Sequence, residues 1–245
     1  KPGLFTLELE TTFYRPPGDG PHPLVIINHG KAPGDSRFQP RARYTLAVRE
    51  FVQRGYAVAI PMRQGFSKSS GAYVGSGCNP GGNGQAQADD VKQALEHFAA
   101  RPDIDAKRVV VLGQSHGGLT TLALGTLGLP NVVGLVNFAG GLRNETCTAW
   151  EQSLARDVGS YAKDTKVPSL WFYGDNDSYF APRVWKDMHA QYTAVGGKAR
   201  LVAFGEFSAD AHSMFGLRAG LPIWVPEVDQ FFRELGLPFE KKHAI

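Results

Sequence analysis

The sequence lacks the features that mark several functional classes. None of its 245 residues lies in an apolar run near the ~20 residues that cross a bilayer. Lysine and arginine form no block, and the net charge is only +3, so neither a nucleic acid nor an anionic membrane has electrostatic support as a partner. There is no G-x-x-x-x-G-K-[ST] loop, and the Gly-rich "GSGCNPGG" neither follows a strand nor has dinucleotide-fingerprint spacing. H-E-x-x-H and paired C-x-x-C motifs are missing, so no metal and no cofactor are expected. Cysteine is scarce: Cys78 and Cys147 both lie in loop-like stretches rich in Gly, Asn and Thr. They are either one disulfide, implying a periplasmic or secreted protein, or two free thiols of a cytoplasmic one. The chain opens on Lys1 rather than Met with no signal-peptide pattern in view, which fits a shortened chain or one already freed of a leader.

What is present is ordinary globular composition, 42% apolar and 20% charged, over a length that suits one α/β domain spanning 1–245. Apolar runs read as strands at His22–Gly30, Tyr56–Met62, Arg108–Ser115, Val132–Gly140, Pro168–Asp175 and Ala199–Gly205, with an alternating edge or hairpin strand in Leu4–Tyr14. Helical spacing is read between them, in Arg43–Arg54, Ala86–Ala100, Gly117–Leu127, Ala149–Ala162, Arg183–Val195 and Pro226–Leu235. This alternation predicts a mostly parallel central sheet with helices on both faces and chemistry at the carboxyl ends of the strands. The Gly-rich stretch Ser69–Gln85 is too long for a simple connection and reads as a functional loop.

Within this order, Gly113-Gln114-Ser115-His116-Gly117 fits G-x-S-x-G between a valine-rich strand and a helix. That is the context of a nucleophile elbow, where glycines permit a tight, strained turn, and it makes Ser115 the candidate nucleophile. An early strand ends in His29-Gly30, so the backbone N–H groups of Lys31 and His116 are the candidate oxyanion donors. The role expected of His116 lies in its backbone, with its imidazole aimed elsewhere.

The acid is sought after a later strand, where "WFYGDNDSYFAP" offers Asp175 and Asp177. Asp177 is preferred, with Asp175 read as a turn residue bonded to its own backbone. The base is His212 in "GEFSADAHSMFG". His29 is committed to the strand end, His22, His97 and His189 read as surface or helix residues, and His243 lies in the tail. The order Ser115, Asp177, His212 is that of an acyl-transfer triad on an α/β sheet. Tyr73, Tyr179, Phe180 and Phe215 are candidate pocket residues, with core packing an equal alternative for each.

The motifs "INHG", "PMRQGFSKSSG", "DIDAKRVVVLGQSHGG", "FYGDNDSYFAP" and "DAHSMF" together resemble the α/β-hydrolase superfamily, and within it the dienelactone-hydrolase-like group. The second of them is also similar to a loop of prolyl-oligopeptidase-type catalytic domains. The resemblance implies a serine hydrolase with Ser115, Asp177 and His212 as triad, without a large lid. A serine stands where the dienelactone hydrolases have cysteine, and the chain has no room for a propeller domain. The Cys78 and Cys147 segments would form a small cover, and a bridge between them is similar to secreted members. The expected activity is hydrolysis of small or medium carboxylic esters. The alternatives are a peptidase or amidase on the same triad, or a non-catalytic binding protein.

Overall fold

The computed structural model describes residues 7–244. Strands β1 (Thr11–Tyr14), β2 (His22–Asn28), β3 (Ala57–Pro61), β4 (Ile104–Gln114), β5 (Val132–Phe138), β6 (Ser169–Tyr173) and β7 (Ala199–Ala203) form one sheet in the order β1-β3-β2-β4-β5-β6-β7. Every pairing is parallel except β1 with β3, where the edge strand runs antiparallel. The edge strand expected in Leu4–Tyr14 is therefore short, and Leu4–Thr6 lie outside the described residues.

Strand periodicity explains the layering. Odd and even positions of one strand point to opposite faces, and both faces here are apolar. Leu24, Ile26, Val109, Val111, Leu135 and Trp171 pack on one side, with residues of α2 (Pro80–Ala99), α3 (His116–Gly125), α4 (Trp150–Tyr161) and α5 (Pro182–Ala194). Val25, Ile27, Val110, Leu112, Val136 and Leu170 pack on the other, with α1 (Thr45–Gln53) and α6 (Leu221–Glu234). This double covering is why the strands read as continuous apolar runs.

Two helices begin earlier than their periodicity predicts. α2 starts at Pro80, inside the stretch expected to be loop: Asn79 Oδ1 accepts the Gly82 N–H at 2.8 Å, and Pro80 takes the first helical position. Proline loses nothing there, because that N–H would lack an intrahelical partner anyway. α6 starts at Leu221 and carries Pro226 within it. His22, expected at the surface, is buried, with its ring on the Gly18 carbonyl.

The strand order reverses between β2 and β4, which lie side by side although β3 separates them in sequence. In open α/β sheets the crevice at such a switch point is where ligands bind. The loop after β2 carries Lys31, and the turn after β4 is Ser115.

Candidate active site

Ser115 stands between β4 and α3 with φ 56° and ψ −124°. A positive φ in a residue with a side chain costs on the order of 1–3 kcal/mol and persists only where the surroundings enforce it. Here they do. The Ser115 N–H donates to the Phe138 carbonyl at 2.9 Å, and the Ser115 carbonyl accepts from Gly118, Leu119 and Gly141. A Cβ on Gly117 would overlap the Asn28 and His29 carbonyls, and one on Gly113 would overlap the Gly117 backbone. The glycines flanking the serine are thus required by the close passage of β2 and by the tightness of the turn itself.

Two backbone N–H groups near this turn have no acceptor among the described residues. Of three consecutive N–H groups after β2, Gly30 donates to the Tyr44 hydroxyl and Ala32 to Gln39 Oε1, which leaves that of Lys31 without an acceptor among the described residues. The His116 N–H, at the first position of α3, is likewise unclaimed. Both residues line one cleft with Ser115. Fixed N–H groups at a helix start and a strand end suit a developing negative charge, since they need no reorganisation.

The Asp177 carboxylate is fully shielded and lies 3.0 Å from His212 Nδ1. Its Oδ1 also accepts the backbone N–H groups of Tyr179 (2.8 Å) and Phe180 (3.0 Å). With Nδ1 donating to Asp177, Nε2 is the ring nitrogen left free to take a proton. The two loops are tied by Asp210, which accepts from the N–H groups of His212 and Ser178 and from the Ser178 hydroxyl. Asn176 adds a second tie by accepting from the Phe207 N–H. Gln114 Nε2 donates to the His212 carbonyl at 2.9 Å and so joins the histidine loop to the residue before Ser115. Ser115 Oγ itself makes no hydrogen bond among the described residues. Asp175 is exposed, and its side chain does not bond its own backbone as expected; the turn-type bonds belong to Asp177.

The cleft has a volume of about 580 Å³. Tyr179 and Phe180 line it, and the Tyr179 ring lies 4.4 Å from that of His212. Two other expected pocket residues do not. Phe215 is buried, stacked on Phe138 at 4.0 Å between centroids, because the short 3-10 turn Ala211–Gly216 carries it beneath the histidine loop. Tyr73 lines a neighbouring depression that meets the cleft at Lys31, and its hydroxyl accepts from Asn83. The cleft is also walled by the segment 141–146, part of the Cys147 stretch expected to form a small cover. Cys147 closes that segment with a disulfide to Cys78, their Cα atoms 5.7 Å apart.

Behind the donors lies a polar cluster also missed in the sequence. Arg63, fully buried, donates from Nη2 to His116 Nδ1 at 2.9 Å, so His116 Nε2–H donates to Asn83 Oδ1 at 2.6 Å. Burial first, and the Arg63 charge second, hold the imidazoles of His116 and His29 well below their ordinary range, and both are neutral. The His116 ring is thus engaged beneath the cleft. Among the described residues, no group of three or more His, Cys, Asp or Glu is placed to hold a metal ion, and no helix is long and apolar enough to cross a membrane.

Residues 6–142 match the family model described as X-Pro dipeptidyl-peptidase (S15 family). No curated protein sequence matches the chain. Among solved structures, a dienelactone hydrolase of Klebsiella pneumoniae, assigned as such provisionally, is similar at 21% identity, TM-score 0.65, over 93% of this chain and 92% of its own. An esterase of Pyrococcus furiosus is similar at 16% identity, TM-score 0.67, over 94% and 87%. The acylaminoacyl peptidase of Pyrococcus horikoshii is similar at 16% identity, TM-score 0.69, over 99% of this chain but 44% of its own. At these identities the likeness is one of fold.

Proposed function

The chain belongs to the X-Pro dipeptidyl-peptidase (S15) family of α/β hydrolases, and we propose that it is a serine hydrolase acting on carboxylic esters of small or medium size. The observation that carries this reading is the buried Asp177–His212 pair, set beside a cleft that holds Ser115 and two unclaimed backbone N–H groups. In the reaction, Ser115 Oγ attacks the ester carbonyl while His212 Nε2 takes its proton. The carbonyl oxygen becomes an anion held by the N–H groups of Lys31 and His116. Collapse of the tetrahedral intermediate expels the alcohol, which receives the proton from His212. Water, activated by the same imidazole, then releases the acid and restores Ser115. Asp177 holds the ring in the tautomer that makes both transfers possible and stabilises its charged form.

An ester is favoured over a peptide by the acids of the cleft. A peptide with a free N-terminus carries an ammonium group, and a site that captures it needs an unpaired carboxylate. Among the described residues lining the cleft the one acid is Glu145, already paired with Arg143. Peptidase or amidase action is nevertheless the second reading, supported by the family's description and by the similarity to an acylaminoacyl peptidase. A screen of p-nitrophenyl esters of increasing acyl length against matched anilides and X-Pro dipeptidyl anilides tests the choice. Ester kcat/KM should exceed the amide value; an amide value equal to it or above would reverse the assignment. The Cys78–Cys147 bridge supports an oxidising, periplasmic or extracellular setting.

A further inference from the structure

Arg63 makes the connection between the two halves of the candidate oxyanion site. Its backbone N–H donates to His29 Nε2 at 3.0 Å, and His29 Nδ1–H in turn donates to the Gly30 carbonyl at 2.7 Å, next to the Lys31 N–H. Its guanidinium donates to His116 Nδ1 at 2.9 Å and to Gln87 Oε1 at 3.0 Å. One residue therefore grips the loop after β2 through its main chain and the start of α3 through its side chain.

Its environment is unusual for a purely structural arginine. It is fully buried, none of its nitrogens lies within ion-pair distance of a carboxylate among the described residues, and Nη1 has no hydrogen-bond partner there; the Asp90 carboxylate acts on it from beyond that distance, and the guanidinium lies 5.3 Å from the centre of the Phe66 ring. Burying a guanidinium without a directly paired carboxylate is costly, and an apolar side chain of like volume would avoid that cost. Burial lowers its pKa only to about 10, so it remains a cation at neutral pH. A buried positive charge bonded to the His116 imidazole, with no directly paired carboxylate, has a use when a negative charge forms at the neighbouring backbone donors.

We propose that Arg63 is a positioning residue for the oxyanion site: it sets the spacing of the Lys31 and His116 donors and places a buried positive charge behind them. This rests on the ester-hydrolase reading above. It adds a residue that touches no substrate and acts through His29 and His116.

The test uses Arg63→Met, which keeps the apolar stem, and Arg63→Lys, which keeps the charge but cannot span both Gln87 and His116. Active sites are counted with a fluorophosphonate, so that unfolded protein does not enter kcat. With p-nitrophenyl acetate, Arg63→Met should lower kcat about 30-fold per titrated site, below the ~10²–10³ measured for deleting an oxyanion donor outright. KM should stay within about twofold, as expected for an interaction made only in the transition state. Phenylboronic acid, whose adduct with Ser115 would place an oxygen in the same site, should weaken by the same factor as kcat. Arg63→Lys should recover part of the loss, and it serves alone should the methionine variant fail to fold. A variant that melts earlier yet keeps its kcat per titrated site overturns the proposal. Wild-type protein with neither turnover nor a labelled Ser115 would overturn the ester-hydrolase reading and, with it, this one.

Discussion

The Asp177 carboxylate sits 3.0 Å from His212 Nδ1 and is held there by two backbone N–H groups of its own turn. It accepts from main-chain donors on one side and from the imidazole on the other, so it can shift little without losing hydrogen bonds. The order of Tyr179 and Phe180 along the cleft wall follows from the same turn.

Asp177→Asn keeps the size of the side chain but replaces an acceptor-only group with an amide, which favours the wrong imidazole tautomer. By analogy with other triads, kcat should fall about 10³–10⁴-fold with little change in melting temperature. Asp175→Asn, on an exposed side chain, should leave both unchanged. Steady-state kinetics with p-nitrophenyl acetate on both variants decides the matter. Equal losses in the two would count against Asp177.

Gly30→Ala separates fold from chemistry. A Cβ there would lie 3.4 Å from the Gln114 carbonyl oxygen and from Ser115 Cβ, ordinary contact distances, so the protein should fold with its melting temperature nearly unchanged. The same methyl would stand 4.0 Å from Ser115 Oγ, in space the tetrahedral intermediate needs. A loss of kcat/KM of about 10-fold or more is expected, since misplacement by ~1 Å can cost about 10²-fold. Unaltered kinetics would move the reacting carbonyl to another side of the serine.

The disulfide makes two separable predictions. Thiol titration of the denatured, unreduced protein should find no free thiol, and two would refute the bridge. The paired Cys78→Ser, Cys147→Ser variant opens a loop spanning 69 residues, for which chain entropy alone gives about 4 kcal/mol. Melting should fall by on the order of 10 °C. Because the bridge anchors the cleft wall 141–146 directly and reaches the Asp177 turn only through the Arg143 hydrogen bond to the Ser178 carbonyl, KM should rise more than kcat falls.

Local chemistry made much of this architecture legible from the amino acids alone. The valine run before Gly113, the paired glycines around Ser115 and the period of the apolar strands are short-range signals, and the Asp177 and His212 loops follow from chain order. Long-range consequences were not legible. Arg63 sits in a motif whose glycine and serine spacing draws attention away from it. Asn83, which holds the far side of the His116 ring, belongs to a helical turn hidden in a Gly-rich stretch, where Asn79 followed by Pro80 was the available cue. Phe180 and Phe215 are equally buried and differ in the side of the sheet they pack on, a choice set for Phe215 by a 3-10 turn that has no apolar period. The cleft wall 141–146 is polar and aperiodic, and a bond to Cys78 from elsewhere in the chain is what sets its place.

The most direct test of the central claim is Ser115→Ala. Removing one hydroxyl from a side chain whose Oγ has no hydrogen bond among the described residues should leave the circular dichroism and melting curve essentially unchanged. Wild-type protein should turn over p-nitrophenyl acetate and carry a single fluorophosphonate label on Ser115, and the alanine variant should do neither. A folded alanine variant that keeps its esterase turnover would contradict that claim.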